Sequence, residues 1–464
     1  MQLFNSMTRK KEEFVPLREG EVRMYNCGPT VYNFIHVGNA RPLVVFDTLR
    51  RFFIYQGYDV RFAVNFTDID DKLIQRALEE GTTVAEVAEK YIGEFKEDAR
   101  GLNLYEYETL NPRATEYVRP IIDFIGGLVK EGYAYPLDGD VYFDISKFEE
   151  YGKLSGKKLE DLVSGARVAV NDRKKNPGDF VLWKGKKEGE PFWDSPWGEG
   201  RPGWHIECSV MAKSLLGDTI DIHSGGEDLQ FPHHENEIAQ SECHNHQTFA
   251  RYWLHNGMIT VDGTKMSKSL GNFFTVRDVA QVFDLEVLRF FLLSAHYRSP
   301  INYSYDAMEQ TKKGLDRLYG VKTHLEQVIH SEGEAEESGA LTEAVDRAKA
   351  EFIAAMSDDL NTAKAIGELF TLGKEINSAL AGGVSSQQAR AVYGEFMSMA
   401  KVLGILTREE EVEETPEEIE ALLEERRQAR KNKDFARADA IRQELFDRGI
   451  TIEDTREGTL WRRN

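Results

Sequence analysis

Polar and apolar positions alternate along Glu21–Asn26, a pattern typical of a half-buried β-strand. The next apolar run, residues 40–56, has helical spacing and stops before Gly57, a residue that commonly follows the end of a helix. A second run rich in Val and Phe, residues 58–66, predicts another strand. This order predicts a βαβ unit, with parallel strands and a right-handed crossover.

The remaining chain divides into further segments by the same patterns. Residues 132–200 are rich in Gly, Lys and Trp and interrupt the α/β pattern, which returns with a strand at 218–223 and a helix at 232–242. From Tyr303 onward the pattern is mostly helical. We therefore predict five segments: the first half of an α/β domain (1–131), an insertion (132–200), the second half of the α/β domain (201–300), a helical region (301–408) and a small C-terminal unit (409–464).

Charge and composition exclude several classes of protein. The 464 residues carry a net charge of −21, which argues against a protein that coats nucleic acid over its whole surface. In residues 426–464, however, Lys and Arg outnumber Asp and Glu, so RNA could bind locally there. No apolar stretch approaches the about 20 residues of a membrane-spanning helix. With three cysteines and no hydrophobic leader, we expect a cytoplasmic protein without a disulfide framework.

Seven of the 11 histidines and two of the three cysteines fall within residues 205–255. His233 and Glu237 lie four residues apart and would share one face of a predicted helix. Cys27 and Cys208 could reach the same ion from the ends of neighbouring strands. Cysteine, histidine and carboxylate are the ligands that zinc prefers. The spacing alone leaves open that the two cysteines are buried thiols and that His233 and Glu237 form a surface pair.

Two short sequences suit the phosphates of a nucleotide. HVGN at 36–39 lies where the first predicted loop enters a helix, whose N–H groups favour anions, and Gly38 would let the backbone approach a phosphate. KMSKS at 265–269 places Lys265 and Lys268 in a polar loop, which suits a mobile clamp over a triphosphate. HVGN alone indicates no more than a helix-entry turn, whereas both sequences in this order are a strong signal.

These two sequences resemble the signatures of class I aminoacyl-tRNA synthetases. The sequence around them is similar to the cysteinyl-tRNA synthetase family over nearly the whole chain. The segments that carry this resemblance are CGPTVYN at 27–33, NFTDIDDK at 65–72, GWHIECS at 203–209, FPHHENE at 231–237, FARADAIR at 435–442 and GTLW at 458–461. One departure is Asn39, where the class motif commonly ends in His, because Asn can donate a hydrogen bond to a phosphate but carries no charge.

The resemblance implies an α/β fold, with a Rossmann-type parallel-sheet catalytic domain and its insertion, an all-α helical bundle that binds tRNA, and a small anticodon-binding domain. The catalytic domain would comprise residues 1–131 and 201–300, with the insertion at 132–200. The helical bundle would comprise 301–408, and the anticodon-binding domain 409–464. The implied reaction ligates L-cysteine to tRNA(Cys) through an ATP-dependent cysteinyl-adenylate. The implied cofactors are ATP with Mg²⁺ and one zinc ion per chain, held by Cys27, Cys208, His233 and Glu237. We expect a monomer with no membrane partner.

The resemblance also implies how the chain holds ATP. Four residues are expected to contact the phosphates or to stabilise charge on the reacting phosphorus: His36, Asn39, Lys265 and Lys268. Further ATP contacts are expected from Gly38, Ser267 and Lys268.

Three residues are expected to contact cysteine. Thr67 and Asp68 follow the second predicted strand, and Trp204 adjoins Cys208. Two alternatives stay open: Asp68 or Asp70 could cap a helix, and Trp204 could belong to the core. Our hypothesis for selectivity is that zinc binds the cysteine sulfur as a thiolate and so refuses serine, which an apolar pocket separates poorly.

Four further residues near the predicted metal ligands could have structural roles, and two other functions fit part of the sequence. His205, His223 and His234 could orient zinc ligands or be structural, and Cys243 is expected to be a structural thiol. A rival function is a cysteine ligase that passes activated cysteine to an amino-sugar; the basic segment after residue 420 argues against it. A second rival is a zinc-dependent RNA-binding protein without catalysis, against which the intact KMSKS sequence and the complete set of metal ligands argue.

Overall fold

The computed structural model describes residues 1–157, 174–266, 272–331, 337–408, 417–432, 434–447, 450–454 and 459–463. The chain forms two units. The first comprises Met1–Glu309 with Ala355–Ala363, and the second comprises Gln310–Ala354 with Lys364–Asn464. The candidate site described below lies in the first unit.

The first unit opens with a hairpin and a βαβ unit, made of β1 (Gln2–Asn5), β2 (Lys10–Glu13), β3 (Glu21–Asn26), α1 (Val37–Tyr55) and β4 (Asp59–Val64). Strands β3 and β4 pair in parallel, with Glu21 opposite Asp59. The predicted βαβ unit is confirmed, and β3 has the predicted bounds. Helix α1 begins three residues earlier than predicted because His36 and Asn39 form a capping box that starts it.

The chain continues through three helices into a second sheet, as α2 (Asp71–Glu80), α3 (Val84–Gly101), α4 (Val118–Lys130), β5 (Ala134–Leu137), β6 (Asp140–Phe143), β7 (Phe180–Gly185) and β8 (Gly200–Pro202). Strands β5 to β8 pair antiparallel in chain order. Val141, Phe143, Leu182 and Trp183 are buried in this sheet and pack with apolar residues of α4. Strands β5 to β7 lie within the segment 132–200 in which the sequence predicts an insertion, and β8 extends two residues beyond it.

The α/β pattern then returns with α5 (Trp204–Leu216), β9 (Ile220–Gly226), α6 (Glu235–Asn245), β10 (Ala250–Asn256), β11 (Ile259–Val261), β12 (Thr264–Lys265), α7 (Val276–Ala280), α8 (Leu285–Leu293) and β13 (Ile301–Tyr303). The central sheet has the order β10–β9–β3–β4 and all its pairs are parallel. Helix α6 begins at Glu235, later than the predicted residue 232, because the turn up to His234 has the wider hydrogen bonding of a π-helix. Within that turn Phe231 alone is extended, so the helical backbone itself starts at Pro232 as predicted.

The second unit is mainly helical, as predicted. Its elements are the greater part of α9 (Tyr305–Ile329), α10 (Gly339–Ser357), α11 (Thr362–Leu380), α12 (Ser386–Leu403), α13 (Glu417–Lys431), α14 (Phe435–Asp447), β14 (Ile450–Asp454) and β15 (Thr459–Arg463). Strands β14 and β15 form an antiparallel pair that packs on α14 through Ile441, Leu445, Ile450 and Ile452. Throughout the described parts of the chain, no helix combines the length and the apolar character needed to cross a membrane.

Candidate metal and nucleotide site

A cleft with a volume of 450 Å³ opens at the carboxyl ends of the parallel strands. Cys27 follows β3, Gly226 ends β9 and Asn256 ends β10, and all three line the cleft. Loops at this edge are free to diverge while the strands hold their positions, so α/β sheets bind ligands there. The βαβ pattern therefore predicts the position of the cleft.

The structure brings the four predicted metal ligands together. The Sγ atoms of Cys27 and Cys208 lie 3.8 Å apart, and Cys27 Sγ lies 3.4 Å from Glu237 Oε1. His233 Nε2 lies 3.0 Å from the same carboxylate oxygen. One donor atom from each of the four residues lies within 4.8 Å of the other three, and all four residues are buried. We call these four residues the ligand cluster.

The elements that carry the ligand cluster differ in part from the prediction. Cys27 follows a strand as predicted, but the prediction that Cys208 also ends a strand is wrong, because Cys208 lies in helix α5. The residues from Ile206 to Ala212 of that helix are all buried. Apolar and polar residues alternate with a period of two from Trp204 to Val210, a pattern typical of a strand, so the sequence carries no helical signal there. His233 precedes α6 and Glu237 lies in its first turn.

The electrostatics of the cluster favour a bound cation. The hydrogen bond from Cys27 lowers the pKa of Cys208 to about 6, although burial opposes this. Burial would raise the pKa of Glu237, but His223 and His233 lower it to about 2. Burial disfavours the charged form of His233, but Glu237 outweighs this and raises its pKa to about 10. Two sulfurs, one imidazole and one carboxylate are a donor set that zinc takes.

A second set of four donors overlaps the ligand cluster. Cys27 and Glu237 also lie within 4.8 Å of donor atoms of His223 and His234. His223 Nε2, however, contacts the other carboxylate oxygen of Glu237 at 2.8 Å. This is the arrangement of a residue that orients a metal ligand, and the set with Cys208 has the two sulfurs that zinc favours. We therefore prefer the ligand cluster as the metal site.

Trp204 forms part of the cleft wall. Its side chain is 39% exposed, so the alternative that it belongs to the core is wrong. Its ring stacks on His233 with centroids 4.4 Å apart, and His233 Nδ1 also lies 2.9 Å from His205 Nδ1. The imidazole of His233 is thus held between an indole and a second imidazole.

The HVGN sequence caps α1 at the cleft. The amide oxygen of Asn39 accepts a hydrogen bond from the backbone N–H of His36 at 3.3 Å, and His36 Nδ1 accepts from the backbone N–H of Asn39 at 3.2 Å. A Cβ at Gly38 would lie 2.9 Å from the His36 ring, so glycine leaves room for that ring. His36, Gly38 and Asn39 all line the cleft.

The KMSKS sequence is described only in part. Lys265 ends β12, whereas Ser267 and Lys268 lie outside the described residues. Met266, before them, and Phe273, after them, both line the cleft. The chain therefore reaches the cleft at Met266, inside this sequence, and again at Phe273, after it.

The predicted cysteine contacts Thr67 and Asp68 are 1% and 5% exposed. The hydroxyl of Thr67 donates to Glu207 Oε2 at 2.9 Å, and Asp68 accepts the backbone N–H of Thr115 at 2.9 Å. Of the two carboxylates considered as helix caps, Asp70 caps α2 and Asp68 does not. Neither residue is among the described residues that line the cleft, although the backbone N–H of Thr67 donates to the carbonyl of Pro29, which does.

Two charged residues that sequence reasoning missed line the cleft: Lys72 and Asp228. The ammonium of Lys72 lies 5.3 Å from the ring centre of Tyr32, which also lines the cleft. Lys72 ends the NFTDIDDK segment, so that sequence contained a signal for it. Asp228 follows β9 by two residues, and only the strand assignment could have pointed to it.

Comparison with known proteins identifies the family. The model for the class I (C) tRNA synthetase catalytic domain matches residues 13–313. Curated relatives named cysteine–tRNA ligase come from Clostridioides difficile, with 55% identity, and Finegoldia magna, with 53% identity. Each of these matches covers 100% of both chains. The chain belongs to the cysteine–tRNA ligases. The predicted family and its class of enzyme are confirmed.

Other matches agree with the fold of a cysteine–tRNA ligase. A DALR domain matches residues 351–407, and the anticodon binding domain of cysteinyl-tRNA ligase matches residues 412–462. Methionyl-tRNA synthetase from Mycobacterium tuberculosis, in complex with methionyl-adenylate, aligns at a TM-score of 0.60 with 16% identity over 82% of this chain and 89% of its own. LeuRS from Agrobacterium radiobacter, in a ternary complex, aligns at 0.60 with 14% identity over 84% of each chain. The predicted fold class is confirmed.

Within residues 412–462, which match the anticodon binding domain, some of the basic side chains form ion pairs with acidic residues of the chain. Arg427 and Arg437 each contact a glutamate of α13, at 2.7 and 2.9 Å. Trp461 packs against the small core under α14. Phe435 and Phe446, on α14, are large exposed side chains. Those two arginines are therefore paired with acidic residues of the chain itself.

Proposed function

We propose that this chain ligates L-cysteine to tRNA(Cys) in two steps. Cysteine and ATP form cysteinyl-adenylate and diphosphate, and the cysteinyl group is then transferred to the tRNA 3′ end. The observation that carries this proposal is the ligand cluster at the floor of the cleft, in a chain with the full length of the cysteine–tRNA ligases. The cluster explains why cysteine is the amino acid selected.

One zinc ion per chain would be held by Cys27, Cys208, His233 and Glu237. A bound zinc ion supplies a preference for a thiolate over a hydroxyl, because sulfur is the softer ligand and the more acidic group. The chain provides the cavity around that ion. Trp204 walls it from the cleft side by stacking on His233.

ATP, with Mg²⁺, would lie across the N-terminus of α1. His36, Gly38 and Asn39 line the cleft at the positive end of that helix, where the helix dipole favours an anion. Lys265, Ser267 and Lys268 complete the proposed phosphate contacts, and the two lysines would stabilise the charge that develops on the reacting phosphorus.

Cysteine would lie between the ATP contacts and the ligand cluster. Thr67, Asp68 and Trp204 are the proposed contacts, and Trp204 has the most direct support because its ring faces the cleft. The bond from Thr67 to Glu207 holds the Thr67 hydroxyl in one orientation. The same oxygen accepts a hydrogen bond from the side-chain amide of Asn65 at 3.4 Å.

We also propose how the chain is divided and where tRNA binds. The catalytic domain takes 1–131 and 201–300 around the insertion at 132–200, and tRNA would contact 301–408 and the anticodon-binding segment 409–464. The exposed rings of Phe435 and Phe446 suit stacking with unpaired bases. A monomer in the cytoplasm stays a prediction.

The metal role is tested with Cys208→Ser. We expect the variant to lose its zinc, and cysteine-dependent ATP–pyrophosphate exchange to fall at least about 100-fold, because a hydroxyl does not replace a thiolate ligand. ATP affinity should change little. The matched control is Cys243→Ser, a buried thiol outside the cluster, which should keep both zinc and exchange.

The acceptor is tested by charging total tRNA with labelled cysteine in the presence of excess serine. Cysteine charging that serine does not reduce supports the proposal. Exchange without any charging of tRNA would contradict it and would favour transfer of cysteine to another amine. Equal losses of ATP affinity and cysteine activation in Cys208→Ser would contradict the metal role.

A further inference from the structure

Arg41, in the second turn of α1, is a fully buried arginine whose hydrogen-bonding partners are backbone carbonyls. Its guanidinium donates to Gly257 at 2.6 Å and to Met258 at 3.0 Å. It also donates to Ser299 at 2.6 Å and to His296 at 3.4 Å. The first two carbonyls lie between β10 and β11, and the others lie between α8 and β13. One side chain therefore fastens two connections to α1.

Those connections border the proposed ATP site. Gly257, Met258 and Ile259 line the cleft. Ile259 starts β11, which pairs with β13 on one side and with β12, ending at Lys265, on the other. A Cβ at Gly257 would lie 2.7 Å from the carbonyl oxygen of Arg298, so the two connections are in direct contact. The position of Arg41 thus fixes both a cleft wall and the start of the hairpin that leads to KMSKS.

Arg41 differs from the other buried arginines of α1 in the groups that balance its charge. Arg50 and Arg51 are equally buried, but both pair with Asp47. Arg41 has no carboxylate among its hydrogen-bonding partners in the described residues, and a buried cation without such a partner is costly. Burial lowers the pKa of Arg41 to about 10, so the side chain stays charged at neutral pH, and exposed Glu227 acts on it by electrostatic attraction alone.

We propose that Arg41 is a positioning residue for ATP, because its guanidinium holds the cleft wall at 257–258 against α1 and leaves a positive charge behind the cleft for an anionic nucleotide. The inference rests on the proposed function, which places ATP in this cleft. The positive end of the α1 dipole attracts the same anion from the start of that helix. Arg41 adds a charge that its own hydrogen-bonding partners do not neutralise.

The test compares three variants. Arg41→Met removes the charge and the donors at similar length, whereas Arg41→Lys keeps the charge and loses the planar fork of donors. Arg50→Met is the matched control, because Arg50 is a buried arginine of the same helix whose hydrogen-bonding partners in the described chain do not line the cleft. The KM values for ATP and for cysteine are measured in pyrophosphate exchange, together with the Tm of each variant.

Arg41→Met should raise the KM for ATP roughly tenfold or more, as expected for the loss of charged hydrogen bonds, and change the KM for cysteine less than about twofold. Arg41→Lys should recover most of this and leave a rise of about threefold. Arg50→Met should lower Tm and leave the KM for ATP unchanged.

Two results would overturn the inference. One is that Arg41→Met and Arg50→Met lower Tm alike and leave both KM values unchanged. The other is that the KM for cysteine rises as much as the KM for ATP. If Arg41→Met does not fold, an unchanged KM for ATP in Arg41→Lys overturns it. Wild-type protein without cysteine-dependent exchange would refute the proposed function instead, and calorimetric ATP binding by the same variants would still test Arg41.

Discussion

Two buried clusters of ionisable side chains lie in the first unit, and the charges in them are balanced in different ways. In the arginine cluster, Asp47 contacts Arg50, and its Oδ2 atom lies 2.7 Å from both Arg51 and Arg289. Arg51 contacts a second carboxylate, that of Glu106. Cations and anions of the chain itself therefore meet within this cluster, and the cluster needs no ligand.

The ligand cluster lacks that balance. Cys27, Cys208 and Glu237 bring two thiols and a carboxylate to within 4.8 Å of one another, and His233 is the one nitrogen donor among the four. The pKa of His233, raised to about 10, means that a proton on this imidazole faces those groups, and a zinc ion that displaces the proton would bring two positive charges in place of one. The comparison shows that burial and charge do not distinguish a structural cluster from a binding site. The distinction lies in whether the chain supplies the opposite charge.

The largest effect on stability is expected from Asp47→Asn. The variant leaves three buried guanidinium groups without their shared carboxylate, so the free energy of unfolding should fall by about 3–5 kcal/mol. Zinc content and the KM for cysteine should stay unchanged, because no Asp47 partner belongs to the ligand cluster. Urea denaturation followed by tryptophan fluorescence measures the stability.

The control for Asp47→Asn is Asp123→Asn. Asp123 is exposed on α4 and lies 3.4 Å from Arg119, so its loss should cost less than about 1 kcal/mol. Equal losses of stability in the two variants would remove the arginine cluster from the comparison. Loss of zinc in Asp47→Asn would show that the two clusters are coupled.

The sequence predicts the parts of the fold that local pattern determines. Strand β3 and helix α1 follow from alternation and helical spacing, although the structure buries nearly all of their residues, so β3 is not the half-buried strand that the sequence predicts. The helical pattern of α1 persists because the polar residues Asp47, Arg50 and Arg51 are buried together as ion pairs. Helix α5 could not be predicted in this way, because residues 204–210 alternate between apolar and polar types with a period of two, which is the pattern of a strand. The start of α1 was missed for another reason: it depends on a side-chain cap by His36 and Asn39, and apolar spacing does not record such a cap.

The candidate site, too, could be predicted from the sequence only in part. The residue types and the i, i+4 spacing of His233 and Glu237 sufficed to suggest the metal ligands, and the family resemblance completed the set. The contacts that orient those ligands join distant residues: Thr67 contacts Glu207, and His223 contacts Glu237. Such pairs depend on how the strands are ordered in the sheet, which a single sequence does not specify.

A smaller effect is expected from His223→Ala, which sharpens the assignment of the ligand cluster. His223 contacts the oxygen of Glu237 that faces away from His233, so its loss should free the carboxylate to rotate. Zinc affinity should fall about 10–100-fold, as for other residues that orient metal ligands. Competition with a chromophoric chelator measures the affinity.

The control is His246→Ala, because His246 is exposed and contacts Glu131 away from the cleft. It should leave zinc affinity unchanged. If His223→Ala abolished zinc binding as completely as Cys208→Ser does, His223 would be a ligand and the overlapping donor set would be the metal site.

The smallest effect is expected from lowering the pH from 7 to 5. The stability that the arginine cluster contributes and the zinc held by the ligand cluster should respond differently to this change. Burial would raise the pKa of Asp47, but Arg51, Arg289 and Arg50 hold it well below its usual range. A carboxylate with a depressed folded pKa contributes its full stability above its unfolded pKa of about 3.9 and loses it as pH falls through the folded pKa. The difference in unfolding free energy between wild type and Asp47→Asn should therefore change by less than about 0.5 kcal/mol from pH 7 to pH 5.

Zinc should behave differently over the same pH range. Protons compete with a metal for thiolate and imidazole donors, so bound zinc should decline as the pH falls from 7 to 5, and the decline should be the same in wild type and in Asp47→Asn. Urea denaturation and zinc analysis on the same samples measure both quantities. A stability difference that narrows in step with zinc loss would mean that Asp47 stabilises the chain through the metal site, because a charge satisfied only by its own arginines has no reason to follow zinc.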